Sequence, residues 1–170
     1  LFIVEDGTIV ENANSYQTVG AFRNYWLDRN VEITEEDAAV QAALVICTQY
    51  VDLSNSWRGT IVDDDQTLDF PRYGVYDDED RWIDQTTIPS RLINAVNEYA
   101  KKHLVSEISP EFLADGDIIE KSSELGSLKS KVVYDEGSKR LVRAIPMADN
   151  WLRGLTIGGV GGNLGRAVRC

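Results

Sequence analysis

The sequence predicts a mainly α fold: a small bundle of three to four helices, a β-hairpin appendage and an extended Gly-rich C-terminal arm. Three observations carry that prediction. Apolar residues recur at three- and four-residue spacing over three long stretches before residue 105, the signature of helices with one buried face. From Asp117 the period changes to alternation, as in half-buried strands. Six of the chain's 13 glycines fall in its last 17 residues, where backbone entropy opposes any regular element. The expected organisation is a helical domain over 1–115, a hairpin region over 116–146, and a short helix with the arm over 147–170.

The first helix is expected from a Ser15 cap to about Arg29, with Tyr16, Val19, Phe22 and Trp26 on one face and Asn30 as its stop. Thr34 opens a second, with Glu35, Glu36 and Asp37 in the first turn, where carboxylates complement the helix dipole. Its small-residue stripe, Ala39, Ala42, Ala43, Ile46 and Tyr50, runs to about Leu53 and suits the central helix of a bundle. Trp57-Arg58-Gly59 closes it. A loop of about thirty residues follows, containing Pro71 and Gly74, and loops this long inside compact domains are usually functional or contact a partner. Ile88-Pro89 opens a third helix, with Leu92, Ala95, Val96, Tyr99, Ala100 and Leu104 as its apolar face, fading near Ser109-Pro110. Ser130–Tyr134 and Lys139–Arg143 flank Asp135-Glu136-Gly137-Ser138 and read as a hairpin, with Ile118–Glu124 as a third strand. A short helix is expected over Met147–Leu152.

Composition excludes several function classes. The net charge is −11, and residues 60–87 carry nine acids against Arg72 and Arg81, supplying −7 of it. The last twenty residues hold Arg153, Arg166 and Arg169 and no acid. A protein that grips nucleic acid needs a basic surface to release phosphate counterions, and the chain as a whole lacks one. No run approaches the ~20 apolar residues of a membrane span, and no secretory signal is read. Cys47, within a helical pattern, and Cys170 make no disulfide framework and suit a reducing cytoplasm.

Chemistry-bearing patterns are sparse. The one histidine, His103, sits beside Lys101 and Lys102 on the third helix, and no Cys or His spacing makes a zinc site. Asp63-Asp64-Asp65 lacks the alternation, turn glycine and terminal Glu of a calcium loop and reads as a solvated charge run. Gly158–Gly165 has neither the Lys-Ser/Thr nor the strand–helix context of a phosphate loop. No enzyme, no cofactor and no metal is expected.

One ordered set of motifs remains: Asn12-Ala-Asn-Ser-Tyr16, Trp57-Arg-Gly59, Leu68-Asp-Phe-Pro-Arg72, Gly74-Val-Tyr-Asp77, and Ile88-Pro89 with Ala95 and Glu98-Tyr-Ala100. This series, spanning about Val4 to Trp151, resembles the small head–tail adaptor (connector) proteins of tailed phages, whose members are often labelled DnaT-like single-stranded-DNA-binding. The resemblance implies a structural virion protein, assembled in the host cytoplasm. It would form a homo-oligomeric ring, usually of twelve copies, between the portal protein above and a stopper, tail-terminator or tail protein below. Packaged DNA would pass through without specific binding. The alternative is a single-stranded-DNA-binding replication protein, for which Trp82 beside Arg81 and Tyr73 beside Arg72 are the candidates.

Two departures from the family pattern are expected to mark partner contacts. One is the acidic loop, where Asp78-Glu79-Asp80-Arg81-Trp82 stands in place of a glycine turn. Asp63, Asp64, Asp65, Asp77, Asp78, Glu79 and Asp80 are expected to face the lumen or a lower partner. The other is the arm, in which Trp151, Leu152, Arg153, Leu155, Ile157, Val160, Leu164, Arg166 and Arg169 are expected to reach the portal or a neighbouring subunit.

Overall fold

The computed structural model describes residues 1–106, 108 and 145–157, and the backbone of 120–125 and 128–133. Its elements, in order, are α1 (Val19–Leu27), α2 (Asp37–Ser54), β1 (Thr60–Ile61), β2 (Arg72–Tyr73), α3 (Ser90–Val105), β3 (Glu120–Leu125), β4 (Leu128–Val133) and α4 (Pro146–Leu152). Four helices packed together, with a two-stranded antiparallel hairpin, make up the fold. The chain divides into two compact units, Leu1–Ile108 with Ala144–Cys170, and Ser109–Arg143.

In the first unit, α2 packs on α3 and α3 on α4, with α1 against α2. Phe22, Val40, Leu44, Cys47, Val51, Leu92, Ala95, Val96, Ala100, Ala148, Leu152 and Leu155 are fully buried between them. Helix α1 starts three residues later than expected, because Thr18 rather than Ser15 caps it: the Thr18 hydroxyl accepts from the Ala21 N–H at 3.1 Å. The Ser15 hydroxyl is spent instead on a turn, donating to the Gln17 carbonyl at 2.9 Å. Helix α2 likewise begins at Asp37, not Thr34.

The stripe expected on α2 is out of phase. Ala39, Ala42 and Ile46 face solvent, and the buried row is Val40, Ala43, Leu44, Cys47, Thr48 and Val51. Two residues of mixed character explain the slip. Cys47 packs as a small apolar group, and Thr48 is buried because its hydroxyl lies 3.4 Å from the Tyr16 N–H. Tyr50 does reach α3, stacking edge-on against Tyr99 with centroids 5.3 Å apart.

The Asn12–Tyr16 motif forms the entry to the bundle. Asn14 ties it to the first residues, accepting from the Ile3 N–H at 3.0 Å and donating to the Leu1 carbonyl at 2.8 Å. Beneath it the buried Glu5 carboxylate collects the N–H groups of Gly7, Ile9 and Val10 at 2.8–3.0 Å, which satisfies a loop that has no ladder of its own.

In the second unit, β3 pairs with β4 from Glu120 opposite Val133 to Leu125 opposite Leu128. The last described pair of this ladder is Leu125 with Leu128. The segment expected as a third strand, Ile118–Glu124, overlaps β3, and the expected strand Ser130–Tyr134 overlaps its partner β4. The expected turn at Asp135–Ser138 and strand at Lys139–Arg143 lie outside the described residues.

Candidate interaction surface

The long loop between α2 and α3 is built rather than slack. At its root, Tyr16 donates its hydroxyl to both Asp52 carboxylate oxygens at 3.0 and 2.8 Å and accepts the Phe70 N–H at 3.0 Å. Asp52 also accepts the Asp69 N–H at 3.2 Å, so one carboxylate on α2 holds both the start of the chain and the loop. Burial pushes the Asp52 carboxyl up to about 7, against the pull of the Asp69 N–H and the Tyr16 hydroxyl. Trp57 closes the root from the other side. Its indole packs edge-on to Phe70 at 5.0 Å, and its N–H reaches Asp69 at 3.0 Å.

From that root projects a small finger. Strands β1 and β2 pair antiparallel, Thr60 with Tyr73 and Ile61 with Arg72. Gly59 makes the turn possible: its φ is +71°, and a Cβ there would lie 2.3 Å from the Tyr73 carbonyl. At the tip, Gln66 braces the backbone with both ends of its amide. Its oxygen accepts from Val62 and Asp63 at 2.9 and 3.1 Å, and its nitrogen donates to Leu68 and Pro71 at 2.7 and 3.1 Å. Asp63 accepts the Asp65 N–H at 2.8 Å. Asp63, Asp64 and Asp65 are all exposed.

The second acidic run divides. Asp78, Glu79 and Asp80 are exposed, but Asp77, expected with them on the surface, is turned inward onto its own loop. It accepts the N–H groups of Glu79 and Arg81 at 2.9 and 3.0 Å and pairs with the Arg81 guanidinium at 2.9 Å. The Arg81 N–H is the main reason its carboxyl sits below the ordinary range. Asp77 is the internal cap of a tight loop that brings Tyr76 opposite Trp82. Tyr73, Tyr76 and Trp82 are 61%, 49% and 55% exposed, an aromatic surface on this otherwise acidic region.

The arginines of this region are largely engaged. Arg72 donates to the carbonyls of Arg58, Gly59 and Asp69 at 2.9–3.2 Å. Arg58 reaches the carbonyls of Thr156 and Tyr76 at 3.3 and 3.4 Å, and Arg81 pairs with Asp77 and Glu79.

The expected arm starts too early by sequence reading. Leu152 and Leu155 are buried in the chain's own core and cannot reach another subunit. Gly154, at φ +92°, reverses the chain after α4. The strand-like segment that follows pairs back: Arg58 donates to the Leu155 carbonyl at 3.0 Å, Ile157 to the Ser56 carbonyl at 2.7 Å, and Thr156 bridges Trp57. Trp151 is half-buried, while Arg153 and Ile157 are exposed. Val160, Leu164, Arg166 and Arg169 lie outside the described residues. A deletion from Gly154 would remove core; one that tests the arm begins at residue 158.

Sequence reasoning missed a cleft of about 400 Å³ lined by Asp78, Arg91, Met147, Asn150, Trp151 and Arg153. Arg91 pairs with Asp78 at 3.1 Å and donates to the Arg153 carbonyl at 2.8 Å, joining the loop, α3 and α4. Residues 13 and 62 positions apart leave no local signal of such a triad. Among the described residues no three His, Cys, Asp or Glu side chains gather in a metal-holding arrangement, and no helix is long and apolar enough to cross a membrane.

Compared with known proteins, the chain matches over residues 1–170 the family described as "Putative DnaT-like ssDNA binding protein". No curated protein and no solved structure matches it.

Proposed function

The chain belongs to this DnaT-like family, and from that premise we propose that it is a non-catalytic head–tail adaptor, a ring subunit lining a DNA channel between portal and tail. The ordered motifs of the resemblance support this reading, and one structural observation carries it. Across residues 60–87 the carboxylates of Asp63, Asp64, Asp65, Asp78, Glu79, Asp80 and Asp84 are exposed, while Arg72 and Arg81 are consumed by carbonyls and carboxylates of their own loop. Such a surface has little capacity to release counterions from phosphates. Repeated around a ring, it would repel a passing duplex within the roughly 10 Å that salt allows.

A second reading, single-stranded-DNA binding, is favoured by the family description, which supports it more directly than the first. The exposed Tyr73, Tyr76 and Trp82 are the kind of platform on which bases stack, at about 1–3 kcal/mol each. The carboxylates around them oppose it, since that mode also needs a positive groove.

Cosedimentation of the purified protein with DNA-filled, portal-containing heads separates the two, run beside titration of an oligothymidylate monitored by tryptophan fluorescence. Stoichiometric binding to heads, with a new ring below the portal by electron microscopy and no quenching by the oligonucleotide, is the expected result. Salt-sensitive quenching that Trp82→Ala abolishes, without head binding, would replace the adaptor reading with the second.

A further inference from the structure

The finger and the cleft have complementary chemistry. The cleft holds two guanidiniums, Arg91 and Arg153, against one carboxylate, Asp78, which is already paired with Arg91. No ion pair within the described residues engages the exposed Arg153 guanidinium. The cleft is therefore locally positive on a strongly acidic chain. Its wall is apolar as well, with Trp151 beside Met147, which is 59% exposed.

The finger offers the converse. Its tip carries Asp63, Asp64 and Asp65, none of them ion-paired among the described residues, and its flank carries Ile61 and Val62, 39% and 37% exposed. The Gln66 brace and the Asp63–Asp65 bond hold the tip in shape before any partner arrives. Little ordering entropy then remains to be lost on docking.

We propose that the Asp63–Asp65 finger of one copy docks in the Arg91–Arg153 cleft of the next. The carboxylates would meet Arg153, and Ile61 and Val62 would lie on Met147 and Trp151. Finger and cleft are different surfaces, so the contact is head-to-tail: it closes into a ring or continues as a filament, and it cannot stop at a symmetric dimer. This rests on the ring reading and gives that ring its subunit contact, and it leaves Glu79, Asp80 and Asp84, rather than the finger, as the exposed carboxylates for the channel wall.

Two variants with complementary defects test it in the full-length chain. D64K/D65K spoils the finger while leaving Asp63 in its brace; R153E spoils the cleft while leaving Arg91 on Asp78. Sedimentation velocity should show wild type assembling with concentration, and less so as salt rises. Each variant alone should self-associate about tenfold or more weakly. Mixed, they should assemble again, because the intact finger of R153E fits the intact cleft of D64K/D65K, and the two reversed surfaces carry opposite charges as well. K101E/K102E, a charge reversal elsewhere on α3, should assemble as wild type does.

A wild type monomeric up to about 1 mM, a mixture that stays monomeric, or an R153E that assembles normally would each overturn the contact. Head binding is read separately: heads that bind a protein failing the mixing test would leave the adaptor reading standing and remove this interface. Successful mixing without head binding would do the reverse.

Discussion

Burial strips water from the Asp52 carboxylate, and its proton affinity rises accordingly, to about 7 in the folded chain against 3.8 for a free aspartate. Folding then takes up a proton between these two values. The unfolded chain binds fewer protons there, so this group's contribution to stability is largest at acid pH and falls as pH rises through the window, by on the order of 4 kcal/mol. Denaturant unfolding of wild type and Asp52→Asn from about pH 4 to pH 8 should show wild type losing stability relative to the variant across that range. A constant gap would mean that Asp52 ionises in the fold as it does in water. Asn97 makes a second case: it is fully buried on α3, and among the described residues neither polar atom of its amide has a hydrogen-bond partner. Asn97→Leu, close in volume, should raise the unfolding free energy by about 1–3 kcal/mol, because an unpaired buried amide costs about that much. A lower midpoint would point to a partner for the amide. Neither residue was legible beforehand. Asp52 and Tyr16 lie 36 positions apart, and an Asn inside an amphipathic helix reads as one more polar position. Cys47 was legible by residue type, a free cysteine in a helical pattern packing as a small apolar group, but not by phase, since the expected stripe ran through Ile46.

At the scale of elements, helices with dense apolar faces could be read from spacing, and β1, β2 and the return after α4 could not. Strands of two residues carry no period. The return was concealed by composition: Gly154 looks like the first residue of a featureless tail, yet it supplies the left-handed turn that sends Leu155 into the core. The spacing of Trp151, Leu152 and Leu155, apolar residues three and four apart, was the available signal. Two substitutions separate core from tail. Leu155→Ala should cost about 3–4 kcal/mol by removing a fully buried side chain. Ile157→Ala, two residues on and 63% exposed, should cost under about 1 kcal/mol. Thermal unfolding of the pair checks both, and equal losses would deny the return its place in the core. The hairpin region was legible as alternation, and β3 and β4 overlap two of its three expected strands, but their pairing was not legible, because alternation persists from Ile118 to Arg143 and period alone does not choose which segments pair.

For the whole molecule, the chain visits one compact unit, leaves it for Ser109–Arg143, and returns through α4. The sequence showed where the period changes, but not that α4 and the segment after it belong to the helices before residue 109. That membership depends on contacts such as the Tyr99 hydroxyl to Asp149 and Arg91 to the Arg153 carbonyl, which no local pattern announces. Among the described residues, the core of the first unit draws on both pieces: Leu92, Val96 and Ala100 come before the excursion, and Ala148, Leu152 and Leu155 after it. Replacing 109–143 by a Gly-Ser linker of about eight residues should therefore leave a single cooperative transition, with stability within about 1–2 kcal/mol of the full chain. Loop length enters the closure entropy only logarithmically, and a shorter loop, if anything, favours the folded state. By contrast, a chain ending at residue 108 should lose its cooperative transition, because α3 would have no α4 to bury against. Calorimetry of the two constructions decides the matter. If the linker variant unfolds without a cooperative peak, the excursion is part of the bundle's stability rather than a unit set into it.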